Sequence, residues 1–349
     1  MLRRLAIPLA MALVVTLMAL SASAHAPEFP GGNESLGQAK EIHDPTKSWA
    51  IYAELHEGGE AQYYLLSMKE GEKITVSLTA SRSATDRGFL PSVALMGRGI
   101  ERNDTVPSYV EVPEGAGVEV AQGALPSRQS YEPFSPSAFY ELGAIAVTAP
   151  QDGDYYLAIY ENDTGGNYGM AVGLRESFTA VEWLLVPFSA LSIYQWEGQS
   201  LWMVLAPAII TFMVGLIIMV AASRTRSQPI DVLWALATVS GLLMVASGIS
   251  LLYQMLWALS QTGTEPAVVV TLIFSIMPLA LGSAALRIAH RERPLEGIRP
   301  GTRIGLLIIG GLALLLWAGW IVGPVLVIVA AVLPGVWLLR RLGKARPVR

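Results

Sequence analysis

The stretch Leu201 to Ala222, LWMVLAPAIITFMVGLIIMVAA, carries no ionisable side chain. As a helix it is about 33 Å long, which is enough to cross the roughly 30 Å hydrocarbon core of a bilayer. It reads as a membrane span, and it divides the chain. The residues before it are acidic, polar and rich in turn formers; those after it form apolar runs separated by basic segments. This order predicts a soluble domain followed by a membrane bundle.

The charge distribution supports the division. His25 to Ser200 holds 10 Lys and Arg against 24 Asp and Glu, whereas Leu201 to Arg349 holds 12 against 4. Positive residues are retained on the cytoplasmic side during insertion, so an acidic first half and basic loops in the second predict an extracytoplasmic domain and a cytoplasmic tail in the cell membrane. A composition 52% hydrophobic, with mean hydropathy +0.46, averages over these two halves. The basic residues lie in short interhelical loops and a tail, a pattern that excludes a nucleic-acid footprint. No cysteine is present, which rules out disulfides, thiolate metal sites and thiol nucleophiles.

Residues 1–24 have the layout of a signal peptide: Arg3 and Arg4, an apolar run from Leu5 to Leu20, then Ala22-Ser23-Ala24. Cleavage there makes His25 the mature N-terminus; the rival reading is an uncleaved anchor helix. Residues 25–47 read as an extended leader, because APEFPGGNES has no sustained period. From Ser48 the pattern alternates with period two. Trp49 to Leu55, Tyr63 to Leu65, Lys73 to Ala80, Pro91 to Gly97, Tyr109 to Val112, Gly117 to Ala121, Phe139 to Thr148, Asp154 to Tyr160 and Tyr168 to Leu174 are candidate strands. Short strands punctuated by turns predict an all-β, jelly-roll-like sandwich over residues 48–176, with an insertion at 98–137.

Three stretches, YYLLSMKEGEKITVSLTAS, LPSVALMG and APQDGDYYLAIYENDTGGNYGMAVG, resemble the bacterial pre-peptidase C-terminal domain and the similar Golgi-dynamics sandwich. The resemblance covers about Gln62 to Leu174 and implies an extracytoplasmic sandwich of a kind that binds carbohydrate, protein or calcium. LPSVALMG lacks the aspartate of the family's D-x-x-L-x-L strand, so a calcium site is not carried over. The stretches EPFSPSAFYE and YQWEGQS also resemble segments of uncharacterised archaeal membrane proteins, which implies no activity.

Within the insertion, Arg128, Tyr131, Glu132, Phe134, Phe139 and Tyr140 have two readings. They line a binding surface, or the aromatic rings pin the loop to the sandwich. Residues 177–200 are apolar but broken by Pro187, and Trp183, Tyr194, Trp196 and Trp202 suit a linker at headgroup depth. Five spans are expected in all: 201–222, 232–259, 267–288, 304–322 and 325–339, followed by a basic tail at 340–349. The last two are joined at Gly323-Pro324, because a single helix over 304–339 would carry five positive charges to the outer side.

No span has an ionisable residue in its middle, which disfavours a pump. Ser240, Ser247, Ser250, Tyr253 and Gln254 on one predicted helix read as packing residues beside Gly241 and Gly248, or as a small pore lining. There is no G-x-S-x-G, H-E-x-x-H, P-loop or G-x-G-x-x-G signature, so the catalytic signals are thin and no catalytic residue is assigned. A mature His25 would offer an amine and an imidazole, and with His43 and His56 would suit Cu(II) by ligand type. Asn33, Asn103 and Asn162 each begin a glycosylation sequon. The functions that remain are a membrane-anchored binding or interaction protein in an envelope complex, with a protein partner or oligomer in the bilayer; a transporter or transport accessory; an enzyme of the outer face; and a copper-binding or metal-sensing protein.

Overall fold

A computed structural model describes residues 26–225, 230–291 and 298–334. The expected signal segment, His25, the loop residues Arg226 and Arg293, residues 335–339 of the expected last span and the basic tail lie outside the described residues. The strands are β1 (Ala26–Glu28), β2 (Lys40–Glu41), β3 (Trp49–Leu55), β4 (Ala61–Met68), β5 (Lys73–Ser81), β6 (Ser92–Gly97), β7 (Gly117–Ala121), β8 (Ser130–Glu132), β9 (Ser137–Thr148), β10 (Gly153–Tyr160) and β11 (Gly166–Val172). The helices are α1 (Arg82–Thr85), α2 (Ala180–Trp196), α3 (Leu201–Thr225), α4 (Val232–Thr262), α5 (Val268–Arg291), α6 (Pro300–Leu315) and α7 (Val322–Val332).

The chain forms two units. Of the described residues, the β unit comprises those up to Ser130, Ala138–Val186 and Trp196–Gly198; the helical unit comprises Tyr131–Ser137, Pro187–Gln195 and those from Gln199 on. The β unit has two mixed sheets, ordered β1-β3-β11-β5-β9-β8 and β2-β4-β10-β6-β7. Their inner faces share one core, because alternate residues point the same way. Ile74, Val76 and Leu78 of β5 and Met170 and Val172 of β11 meet Leu66 of β4, Val93 and Leu95 of β6 and Leu157 and Ile159 of β10. Within this core the Tyr64 and Tyr168 hydroxyls are 2.6 Å apart, and Tyr168 donates to Gln62 Oε1 at 2.6 Å, which satisfies phenols that have left water.

The sequence reading needs two corrections in this unit. Tyr109 to Val112 is not a strand. It is flanked by Pro107 and Pro113, which cannot donate to a ladder, and it folds as a turn with Val110 N bonded to Pro107 O. Val110 instead packs with Tyr63, Ala94 and Met96 in a second cluster over the five-stranded sheet. The leader is also not free of structure, since β1 and β2 add as short parallel edge strands to β3 and β4.

In the helical unit, Asp231 caps α4 by accepting from Trp234 N at 2.7 Å. Helices α4 and α5 pack backbone to backbone. A Cβ on Gly248 would lie 2.7 Å from Ser275 O, and one on Gly241 would lie 2.8 Å from Gly282 O, so the glycines allow an approach that larger residues forbid. Helix α3 leans on α4 through Gly215 against Leu242, while Ile209, Ile210, Met213, Val214, Ile217 and Ile218 are exposed.

Among the described residues, three helices are long and apolar enough to cross a membrane: α3, α4 and α5. Helices α6 and α7, of 16 and 11 residues, are about 24 and 16 Å long and each falls short of a bilayer core. They form an antiparallel hairpin. Gly310 of α6 meets Val327 and Ile328 of α7, and Arg303 near the start of α6 donates to Ala331 O at the end of α7 at 2.6 Å. The turn is at residues 316–321, not at Gly323-Pro324, with positive φ at Trp317, Gly319, Trp320 and Ile321. Pro324 sits in the first turn of α7, where a missing N–H costs nothing.

Candidate functional site

The hairpin turn is held by serines of α4. Ser247 Oγ accepts from Gly319 N at 2.8 Å, and Ser240 Oγ donates to Gly323 O at 2.6 Å. Non-helical backbone packed among apolar helices needs such partners. As the hairpin chain runs from Gly319 to Gly323, its partner on α4 steps back from Ser247 to Ser240, so α7 descends antiparallel to α4 toward Val232. The hairpin therefore occupies only the N-terminal half of α4.

The other half carries the site. Strands β8 and β9 are joined by the tight turn Pro133–Pro136, and residues 131–137 belong to the helical unit. Tyr131 OH and Thr271 Oγ1 of α5 are 2.6 Å apart, and Thr271 Oγ1 donates to Pro133 O at 2.6 Å. A threonine hydroxyl has one proton, so Tyr131 is the donor to Thr271. Phe134 meets Phe274 of α5 edge-on at 5.6 Å, and Phe274 stacks on Trp317 of the hairpin turn at 6.0 Å. The turn from the insertion and the turn of the hairpin are thus the two ends of one aromatic stack.

Glu132 lies between these anchors. Its Oε1 accepts from Phe134 N at 3.0 Å, and among the described ion pairs none involves it. Although part of its surface stays open, burial pushes its carboxyl up to about 7 against the opposing effect of the Phe134 N–H. Burial also raises the Tyr131 phenol; the bond to Thr271 opposes this and the Glu132 charge adds to it.

The α4 polar stripe continues past the hairpin. Gln199 Nε2 donates to Gln254 Oε1 at 2.9 Å. Ser250 Oγ and Gln254 Nε2 are buried without a partner among the described residues. The contacts of Gly241 with Gly282 and of Gly248 with Ser275 set a register in which Thr271 falls opposite the α4 turn between Ser250 and Gln254. The site is therefore a band of hydroxyls, amides and one carboxyl at a single level of the helical unit.

The sequence-derived residues divide differently from expectation. Tyr131, Glu132 and Phe134 are in the helical unit, so these aromatics do not pin the insertion to the sandwich. Arg128 is exposed in the β unit, and Tyr140 packs against the β core. His43 and His56 have side chains 82% and 72% exposed, each 3.5 Å from a neighbouring glutamate, Glu41 and Glu60. Among the described residues no three His, Asp or Glu side chains converge as metal ligands, and His25 lies outside them. Asn103 and Asn162 are exposed. Asn33 is buried, and the nitrogen a glycan would occupy donates to Tyr63 O at 3.0 Å. No protein-family model matches the chain, and no curated protein matches it.

Proposed function

We propose that the chain is a membrane-anchored binding or interaction protein, with the β unit extracytoplasmic and the helical unit in the bilayer. In this reading the β unit is a jelly-roll-like sandwich of the pre-peptidase C-terminal kind, supported by the motif strands β5, β10 and β11 lying in its core. Three helices cross, and the hairpin enters and leaves from the cytoplasmic side, where the arginines of the α5–α6 connection lie. The tail then stays inside, as with five spans. The observation that carries the reading is the use made of α4: Ser240 and Ser247 hold a turn and Gly241 and Gly248 admit α5, so these four residues serve packing. A transport-accessory role is the second reading, favoured by the Glu132 carboxyl in the helical unit.

The test is purification of the full chain from its native membrane in mild detergent. A protein recovered in fixed stoichiometry is the expected result. Substrate-dependent flux by the pure chain in liposomes, without a partner, would replace this reading with transport.

A further inference from the structure

We infer that Glu132 is a proton-binding site whose occupancy holds the Pro133–Pro136 turn on α5. The turn has two attachments on that helix, the Tyr131–Thr271–Pro133 hydroxyl bridge and the Phe134–Phe274 contact. Glu132 lies between them in sequence, and while both are made its side chain is held half-buried beside α5. Protonated, it is a neutral group with one hydrogen bond from Phe134 N. Ionised, it is a half-buried carboxylate with one backbone donor and, among the described residues, no cation, which disfavours the charge.

Among the described residues no charged group acts on the Glu132 carboxyl; the effects on it are burial and the bond from Phe134 N. Its own strand offers Tyr131, whose phenol is repelled by it. The α5 groups that hold the turn are Thr271 and Phe274, and the hairpin contributes Trp317 through the aromatic stack; none of these is ionisable. The burial that lifts the carboxyl to about 7 gives the sign. The docked turn retains the proton at pH values where the released turn has lost it, so docking is favoured at low pH and weakens as pH rises through neutrality.

The chain has no cysteine, so a single spin label can be placed without altering other residues. Ser135→Cys in the full chain, labelled with a nitroxide and reconstituted in nanodiscs, reports the turn through its collision rate with a water-soluble nickel chelate. That readout does not depend on thiol ionisation. Between about pH 5 and about pH 9 the accessibility should rise several-fold with a midpoint near neutrality, and Glu132→Gln, which mimics the protonated form, should stay at the low value throughout. A flat profile with Glu132 present, or a transition that survives in Glu132→Gln, would overturn the inference.

Discussion

Glu132 shows how one residue changes meaning with its surroundings. In the sequence it is an acidic loop residue among aromatics, and nothing in a one-dimensional pattern brings it to Thr271, more than a hundred positions away. The long-range bonds that place it are made by Tyr131 OH and Pro133 O, groups with no periodic signature. Its raised value makes a thermodynamic prediction. Because the folded state holds a proton the unfolded state has released, stability is full below the ordinary carboxylate range and falls as pH rises through about 7. Thermal melts of the chain in detergent should lose midpoint temperature from pH 5 to 8, and Glu132→Gln should flatten that slope.

The opposite sign holds at Glu182. Burial opposes its ionisation, but bonds from Lys47 and from Thr179 N hold its carboxyl below the usual range. Lys47 Nζ is 2.6 Å from Glu182 and 4.0 Å from the centre of the Trp49 ring, with 8% of its side chain exposed. This pair stabilises the β unit above the ordinary glutamate range and is lost as pH falls. Lys47→Ala leaves the partly exposed Glu182 carboxylate without its cation and the Trp49 face without its partner, and should cost about 1 kcal/mol and reduce the acid-side loss, read from chemical denaturation near pH 7 and near pH 4.

Element by element, legibility followed the apolar pattern and its turn formers more than length. The five-residue β7 was readable at its observed bounds, whereas the eight-residue β4 was readable only over Tyr63 to Leu65; β1 and β2 have three and two residues, too few to show a period. Helix α4 was readable from its apolar run and its Asp231 cap. The hairpin turn was not, because Trp317, Trp320 and Ile321 adopt positive φ without the glycine or asparagine that usually marks it, while Gly323-Pro324 imitated a turn signal inside α7. The α4–α5 pair gives a sharp expectation at this scale. Gly248→Leu pushes a side chain into Ser275 O and should destabilise by about 2 kcal/mol, whereas Gly305→Leu, where a Cβ meets nothing within 4 Å, should change little. Melting of the two variants side by side checks this.

For the whole molecule, the asymmetry of charge and the first apolar run were enough to predict a β region before a helical one, and the described structure has that order. The number of crossings was not legible, because hydropathy registers apolar length and not whether a chain turns back halfway. Three crossings and a returning hairpin predict the same side for the tail as five crossings do, so the tail cannot tell them apart. The turn can. With a membrane-impermeant maleimide on intact cells, single cysteines at Ser108 and Thr264, both exposed, should label from outside. Thr225→Cys and Gly301→Cys should label only after permeabilisation. Val322→Cys, at the start of α7, decides the matter: the hairpin that turns within the bilayer predicts no labelling before or after permeabilisation, whereas labelling of Val322→Cys from outside would mean that the chain crosses completely and would contradict the account.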